Sequence, residues 1–323
     1  MFKKVNKTQI ESIPIVRVKK SIGQRVVSEL SQNRYLYIMA LPVIIYYAIF
    51  CYGPMYGLII AFKDYTPATG ILGSDWVGFK HFIAFFQNTY FWRLMKNTFL
   101  LSFYDLLWGF PAPIIFALLL NEIRHSRFKV TVQTITYLPH FISLIVACGM
   151  VIDFVSEGGV ITQILTLFGG EAKNYLGDAR YFRTVYIASN IWQDIGWGSI
   201  IYLAALSSID QELYEAATID GAGRLKQTLH ITLPGLLPTI MVLFIMKVGQ
   251  MMSLGFEKII LLYNPLTYET ADVIASFVYR EGLGQGVRYS YSTAVGLFQS
   301  VINLIFLLSA NWLSKKFTES SLF

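Results

Sequence analysis

The sequence predicts an all-α membrane protein with six transmembrane helices and with both termini in the cytoplasm. Three observations lead to this prediction. Hydrophobic residues make up 54% of the 323 residues and charged residues only 14%, which is more apolar surface than a soluble domain of this size needs. The apolar residues are grouped in six runs, each about as long as the roughly 20 residues that cross a bilayer core. Lys and Arg are distributed unevenly between the segments that connect these runs.

The six runs are predicted to be helices, because lipid offers no hydrogen-bond partner for backbone N–H and C=O groups. They cover residues 35–62, 97–120, 131–155, 184–206, 234–254 and 293–313. Prolines inside these runs or at their ends predict kinks, which neighbouring helices can tolerate. These prolines are Pro42, Pro54, Pro111, Pro113 and Pro139.

The orientation follows from the positive charges of the connecting segments. With the N-terminus inside, the cytoplasmic segments carry 15 Lys and Arg in 80 residues, and the outer segments carry 10 in 100 residues. This bias has the sign that the positive-inside rule requires. The prediction is therefore a cytoplasmic tail at 1–34, one membrane domain at 35–313 with a cytoplasmic loop at 207–233, and a second cytoplasmic tail at 314–323. The longer outer segments are expected to form an external docking surface.

Motifs for catalysis, metal binding and nucleotide binding are missing from the sequence. It contains no phosphate-binding G-x-x-x-x-G-K-[ST], no H-E-x-x-H and no Cys-x-x-Cys. Cys51 and Cys148 lie in apolar runs, where small buried side chains are the simplest interpretation. The net charge of +6 is interpreted as topological rather than as a nucleic-acid surface. We therefore expect no catalytic residue, no metal site and no cofactor in this chain, and no nucleic-acid partner.

The segment 215–234 lies between two apolar runs and is not apolar itself. Ser208 followed by Gln211 fits a capping box, so a helix is predicted to start near Ile209. The Gly-Ala-Gly sequence at 221–223 permits a break after Asp220, and Asp220 would pair with Arg224 if the helix continued. Physical arguments alone leave two interpretations equal: a thin helix that enters a groove on another protein, or an ordinary solvated loop.

The residues of this segment resemble a known signature. E-A-A-x-x-D-G-A at 215–222 and I-x-L-P at 231–234 are similar to the EAA motif of permease subunits from binding-protein-dependent ABC importers. The motif lies between the fourth and fifth predicted spans, as that family requires. The resemblance implies the type I ABC importer fold and a short helix that docks in a cleft of a separate ATPase. The residues implied to couple to the ATPase are Glu215, Ala216, Ala217, Asp220, Gly221 and Ala222.

Further stretches resemble one branch of that family, the polysaccharide-type members of the maltose-type sugar importers. They are residues 52–57, 61–65, 133–141, 255–258 and 262–265. The resemblance implies transport of oligosaccharides or polysaccharide fragments such as alginate across the bacterial cytoplasmic (inner) membrane. It also implies the following partners: a second permease subunit, which in this family is usually a different chain, two ATPase subunits that bind ATP and Mg, an extracytoplasmic solute-binding protein and the lipid bilayer.

Polar side chains inside the predicted spans are candidates for a translocation pathway, because their burial in lipid is costly. The candidates are Asn190, Gln193, Asp194, Trp197, Lys247 and Gln250. The residues of the fourth span combine amide groups with an aromatic ring, which suits saccharide hydroxyls and an apolar sugar face. Polar contacts between helices explain them equally well. Lys247 either favours anionic saccharides or belongs to a buried ion pair.

Two other function classes compete with the ABC permease. A self-sufficient secondary transporter would need no ATPase, and the segment 215–234 would then have no partner. A membrane-embedded glycan enzyme would require clustered carboxylates or a metal-binding Asp motif in a cytoplasmic loop. The sequence contains neither of these, so the enzyme is the least favoured class.

Overall fold

The computed structural model describes residues 32–284 and 287–318, together with Gly23. The predicted cytoplasmic tail 1–34 therefore lies almost entirely outside the described residues, as do residues 319–323. Within the described part, regular structure is helical, and one isolated antiparallel bridge joins Lys63 to Trp76. The chain divides into two units, Met1–Gly57 and Leu58–Phe323.

The described part of the first unit consists of helical segments. Helix α1 covers Arg34–Tyr46, a π-helical turn covers Tyr47–Tyr52, and a short α-helical turn follows at Gly53–Met55. Nearly every side chain of α1 is apolar, and none of them is buried. A helix that is apolar on all sides is typical of a membrane span rather than of a soluble surface.

The second unit contains the remaining long helices, which we number in chain order. They are α2 Lys80–Phe86, α3 Phe91–Tyr104, α4 Pro111–Glu122, α5 Ser126–Tyr137, α6 Leu144–Val155, α7 Val160–Leu167, α8 Ala179–Ser207, α9 Gln211–Ile219, α10 Leu233–Gly249, α11 Phe256–Leu262, α12 Ile274–Gly282 and α13 Tyr289–Thr318. Helix α8 packs against α4, α5 and α10, and α13 packs against α10 and α12. The longest helices of this unit thus form a bundle in which α8 has the most neighbours.

Five helical segments in the described part are long and apolar enough to cross a membrane. They are Arg34–Phe62, Phe91–Glu122, Leu144–Leu167, Arg224–Gly249 and Tyr289–Lys316. The predicted fourth span lies in α8, whose 29 residues extend about 44 Å along the helix axis. Its polar side chains lower its mean hydropathy, because Arg180, Arg183 and Asp194 lie among the apolar residues. Helix α8 therefore has the length of a span without its uniform composition.

The predicted third span, 131–155, is not one helix. Helix α5 ends at Tyr137, a 3₁₀ turn follows at Leu138–Phe141, and α6 begins at Leu144. Pro139 lies in the first turn of the 3₁₀ segment, where its missing N–H leaves no α-helical hydrogen bond to break. The predicted kink is thus a complete interruption, and the apolar stretch continues past Val155 into α7.

Three π-helical turns precede prolines. Tyr47–Tyr52 comes before Pro54, Asp105–Gly109 comes before Pro111, and Thr228–Thr232 comes before Pro234. A proline ring clashes with the carbonyl four residues earlier in an α-helix, and a wider turn relieves this clash. The predicted fifth span consequently starts earlier than residue 234, because helix continues through the π-helical turn from Arg224.

Candidate functional site

The first candidate site is the segment 215–234, and it begins on helix α9. The cap of α9 is Asp210, whose Oδ1 accepts a hydrogen bond from the backbone N–H of Glu212 at 3.0 Å. The predicted capping box at Ser208 is wrong, because the Ser208 hydroxyl donates to the carbonyl of Ala205 at 2.7 Å. The helix therefore starts at Gln211, two residues later than predicted. Asp is among the most favourable N-cap residues, which explains why Asp210 rather than Ser208 caps the helix.

Gly221 ends helix α9. Its φ angle is +75°, in the left-handed region that disfavours side chains with a Cβ. The N–H of Ala222 donates to the carbonyl of Ala217 at 2.8 Å, and the N–H of Gly221 donates to that of Thr218 at 3.1 Å. These two bonds form a Schellman motif, which stops the helix sharply. The predicted break after Asp220 is confirmed, and its cause is the backbone of Gly221.

Side chains fold the rest of the segment back toward α9. The Tyr214 and Thr232 hydroxyls lie 2.9 Å apart, and the Gln227 amide donates to the Thr218 hydroxyl at 3.0 Å. The pairing of Asp220 with Arg224 is wrong, because Arg224 Nη1 lies 3.3 Å from Glu122 Oε2 at the end of α4. The segment is thus a folded helix–turn–helix fastened to its own bundle.

The outer surface of this folded segment is exposed and partly apolar. Ile219 is 86% exposed and Leu225 is 74% exposed. Among the predicted coupling residues, Ala217 and Ala222 are half-buried and the others are exposed, namely Glu215, Ala216, Asp220 and Gly221. Two large apolar side chains are thus exposed beside residues with little bulk.

The second candidate site is one face of helix α8. Asn190, Gln193 and Asp194 follow each other at helical spacing, and Trp197 lies one turn after Gln193, so all four project to the same side. Asn190 and Gln193 are half-buried, whereas Asp194 and Trp197 are exposed. The structure therefore brings the four predicted residues of the fourth span together.

Lys258 of helix α11 contacts this face and was missed by the sequence analysis. Its Nζ donates to Gln193 Oε1 at 3.2 Å and lies 5.9 Å from the centre of the Tyr186 ring. Burial lowers the pKa of Lys258. An ammonium group has no acceptor, so the Gln193 oxygen must face Lys258, and the amide N–H groups face the other way. Hydropathy gave no signal for this residue, because α11 is too short to be recognised as a membrane element.

His140 also reaches the face, from the 3₁₀ turn that interrupts the predicted third span. Its Nδ1 lies 3.0 Å from Asp194 Oδ1. Its ring stacks on that of Trp197 with centroids 4.5 Å apart and planes 4° from parallel. The interruption at Pro139 thus serves the site, because it turns a backbone segment toward α8.

The two predicted residues of the fifth span lie apart from this arrangement. Lys247 Nζ is 2.5 Å from Oδ2 of Asp105, a buried carboxylate in the π-helical turn of the second span. Gln250 is exposed and caps the end of α10. The contact with Asp105 corresponds to the ion-pair alternative for Lys247. A carboxylate within a predicted apolar run was the signal that could have indicated this partner.

Three comparisons with known proteins bear on these sites. The model of the family described as "Binding-protein-dependent transport system inner membrane component" matches residues 96–319, which include α8, α9 and α10. This chain belongs to that family. It is therefore a transport subunit of the inner membrane and not itself an enzyme, and the alternative of a self-sufficient secondary transporter is wrong.

Relatives in this family cover nearly the whole chain. The "Polygalacturonan/rhamnogalacturonan transport system permease protein YteP" of Bacillus subtilis (strain 168) is 46% identical over 321 residues, which is 99% of this chain and 100% of the relative. "Protein LplB" of the same strain is 44% identical over 311 residues, 96% of this chain and 97% of the relative. The chain is thus similar to these two proteins over nearly all of its length, including the segments where both candidate sites lie.

Solved structures give the same fold. A bacterial ABC transporter involved in the import of the acidic polysaccharide alginate contains a chain with a TM-score of 0.82 and 46% identity. The match covers 91% of this chain and 99% of that one. A second structure, of the alginate transporter in complex with an alginate pentasaccharide-bound periplasmic protein, gives a TM-score of 0.83 at 45% identity. The predicted fold of an ABC importer permease is confirmed.

No metal centre accompanies these sites. Among the residues that the structure describes, no three His, Cys, Asp or Glu side chains lie close enough together to hold a metal ion. The polar groups near α8 are amides, cations, aromatic rings and single carboxylates. Such groups recognise a polar solute through hydrogen bonds and charge.

Proposed function

We propose that this chain is the permease through which an ATP-driven importer moves an oligosaccharide or polysaccharide, and that the segment 215–234 couples it to a separate ATPase. ATP and Mg bind to that ATPase, and this chain carries no cofactor. A second permease subunit completes the pathway, and a soluble protein outside the membrane delivers the saccharide. The similar polygalacturonan/rhamnogalacturonan permease and the similar chain of an alginate importer support the substrate class.

The observation that carries the coupling is the shape of the segment 215–234. Helix α9 ends abruptly at Gly221, and the apolar side chains of Ile219 and Leu225 are exposed on either side of this turn. Because Arg224 and Tyr214 fasten the segment to the bundle, a force on α9 reaches the spans. Movement of the ATPase would tilt these spans and switch the pathway between its two sides. The predicted inside orientation places α9 where a cytoplasmic ATPase can reach it.

The saccharide is proposed to pass along the face of α8. Asn190 and Gln193 supply amide groups for sugar hydroxyls, and Trp197 with His140 supplies a stacked aromatic surface for a sugar face. Lys258 fixes the Gln193 amide so that its two N–H groups point away from Lys258. The face therefore offers hydrogen-bond donors at its centre.

The test uses the complete transporter, with this chain, the second permease, the ATPase and the binding protein produced together from their native genes. Ile219→Asp places a charge on the apolar tip, and we expect it to lower the amount of ATPase that copurifies with the permease. Leu72→Asp is the matched control, because Leu72 is also 86% exposed but lies in the predicted outer segment 63–96. Unchanged ATPase recovery with Ile219→Asp, or equal loss with both variants, would contradict the coupling surface.

A further inference from the structure

A cavity of about 470 Å³ lies between helix α8 and the second span, and the mechanism above does not use it. Its α8 wall is polar at one end, with Arg180, Arg183 and Thr184, and apolar along the rest, and two aromatic side chains lie opposite. The apolar residues are Ile187, Ala188 and Ile191, and the aromatic ones are Tyr104 and Trp108. The volume is within the range of roughly 300–1,000 Å³ that is typical of small-molecule sites. A larger apolar groove lies between α6, α7 and α8, and the two share Thr184 and Ala188 as lining residues.

Arg183 is the unusual residue of this cavity. Its Nη2 donates to Asn97 Oδ1 at 2.8 Å, while its Nε is buried without a hydrogen-bond partner. Among the described residues, no carboxylate forms an ion pair with Arg183. A half-buried guanidinium with an unused donor is costly unless an anion completes its partners.

The neighbouring arginines are all paired with carboxylates. Arg93 and Arg280 share Asp272 at 3.0 and 2.9 Å, and Arg180 pairs with Asp178 at 2.7 Å. Arg183 alone among these four has no counter-ion in the described residues. Asn97 holds it in place, since the same amide group also donates to the carbonyls of Glu269 and Asp272. Asn97 therefore fixes the guanidinium of Arg183 in position, with no carboxylate paired to it among the described residues.

Helix geometry connects Arg183 with the proposed pathway. Residues seven apart on an α-helix lie on nearly the same side, about 10 Å apart along the axis. Arg183, Asn190 and Trp197 have this spacing, so Arg183 extends the face of α8 by two turns toward its N-terminal end. A saccharide chain that runs along α8 would reach all three residues.

We propose that Arg183, Tyr104 and Trp108 form a subsite for a carboxylated sugar unit, such as a uronate, on the path of the transported saccharide. The guanidinium binds the carboxylate in the paired-donor geometry that arginine favours. Trp108, 62% exposed, and Tyr104 offer ring faces to the apolar side of the sugar. This inference rests on the proposed saccharide transport and adds its substrate class. An anionic lipid headgroup is the competing ligand, but the common face with Asn190 and Trp197 favours the saccharide.

The test measures saccharide binding to the complete transporter, without the binding protein, in nanodiscs of phosphatidylcholine. The probes are a labelled trigalacturonate and its carboxyl-reduced neutral counterpart, and equilibrium dialysis gives the two dissociation constants. We expect wild type to prefer the acidic probe. Arg183→Gln should weaken acidic binding by about tenfold, the effect of losing a charge-assisted hydrogen bond, and neutral binding by less than about twofold. Arg183→Lys keeps the positive charge but loses the planar pair of N–H donors, so its affinity for the acidic probe should lie between those of wild type and Arg183→Gln.

Controls separate the possible failures. Trp108→Ala, on the opposite wall, should weaken the binding of both probes to a similar degree. This result would show that the saccharide occupies the cavity, even if Arg183→Gln does not fold. Equal affinity of wild type for the two probes would overturn the subsite, while saccharide-stimulated ATP hydrolysis would still support the proposed function. Loss of that stimulation in wild type would instead overturn both. Acidic binding that falls only when phosphatidylglycerol is added, with no difference between wild type and Arg183→Gln, would assign the cavity to lipid and overturn the subsite.

Discussion

Lys247 on the fifth span and Asp105 on the second span form an ion pair with 2.5 Å between Nζ and Oδ2. Asp105 lies in a π-helical turn, where Gly109 leaves space for its carboxylate, because a Cβ on Gly109 would lie 2.6 Å from Asp105 Oδ1. The pair joins two spans of opposite direction beside α8. The charge of Lys247 is therefore compensated within the protein, unlike that of Arg183.

The first prediction concerns this pair. Lys247→Met should reduce uptake of acidic and neutral saccharides equally, because its charge already has a partner. It should also lower the thermal stability of the purified transporter, by about 1–3 kcal/mol, since it leaves Asp105 buried without a counter-ion. Asp105→Asn in the same chain should restore part of that loss. Thermal unfolding and uptake of the two saccharides measure both effects; a selective loss of acidic uptake would assign Lys247 to the substrate instead.

The second prediction concerns the turn that ends helix α9. Gly221 and Gly223 are both exposed, and a Cβ on either would meet no other atom within 4 Å. They differ in backbone conformation, because φ is +75° at Gly221 and −68° at Gly223. Gly221→Ala should strain the turn by about 1–2 kcal/mol and lower saccharide-stimulated ATP hydrolysis, whereas Gly223→Ala should stay close to wild type.

A bulkier residue extends this test. Gly221→Val should abolish the stimulation of ATP hydrolysis while the complex still assembles, since a β-branched side chain is least compatible with a positive φ. Size-exclusion chromatography checks assembly, and ATPase assays with and without the saccharide-loaded binding protein check coupling. Normal coupling in Gly221→Val would contradict the idea that the sharp turn lets α9 enter its partner.

The third prediction concerns Asp272, which is fully buried between α12 and the second span. It accepts hydrogen bonds from Arg93, Arg280 and Ser276 at 2.9–3.1 Å. Asp272→Asn removes the charge that both arginines share, and we expect it to destabilise the transporter by about 3–5 kcal/mol. Glu281→Gln removes a carboxylate from the partly exposed pair with Arg288 and should cost less than about 1 kcal/mol. Equal thermal unfolding of the two variants would show that Asp272 does not hold this region together.

The sequence allowed the fold class, the family and the helix break after Asp220 to be predicted, because hydrophobic runs and the E-A-A-x-x-D-G-A pattern are local signals. Asn190, Gln193, Asp194 and Trp197 were predictable for the same reason, since they share one helix. The contacts that complete the site were not. Lys258 is 65 residues from Gln193, His140 is 54 residues from Asp194, and Asp105 is 142 residues from Lys247 in the sequence, and only the packing of the bundle brings these pairs together.

The helix boundaries show the same limit. Pro139 predicted a kink but not the 3₁₀ turn that turns His140 toward α8. Pro234 predicted a helix start but not the π-helical turn through which the helix continues. At both prolines, the backbone conformation that the chain adopts depends on how neighbouring helices pack, and a single sequence does not reveal that packing.

The last prediction concerns Gly196, which lies between Asp194 and Trp197 on α8 and is buried against α5. A Cβ at this position would overlap the backbone carbonyl of Thr136 and come within 2.9 Å of the Tyr137 ring. Gly196→Ala should therefore push α5 and the following 3₁₀ turn away from α8, which separates His140 from Trp197. We expect a loss of about 1–3 kcal/mol in stability from overpacking, together with reduced saccharide uptake.

Gly149 on helix α6 is the matched control for Gly196, because a Cβ there would meet no atom within 4 Å. Gly149→Ala should leave uptake unchanged and raise stability slightly, by up to about 1 kcal/mol, since Ala is the better helix former. Thermal unfolding and saccharide uptake of both variants in the complete transporter measure the difference. Wild-type uptake in Gly196→Ala would show that the close approach of α5 to α8 is not required to position His140 on the pathway face.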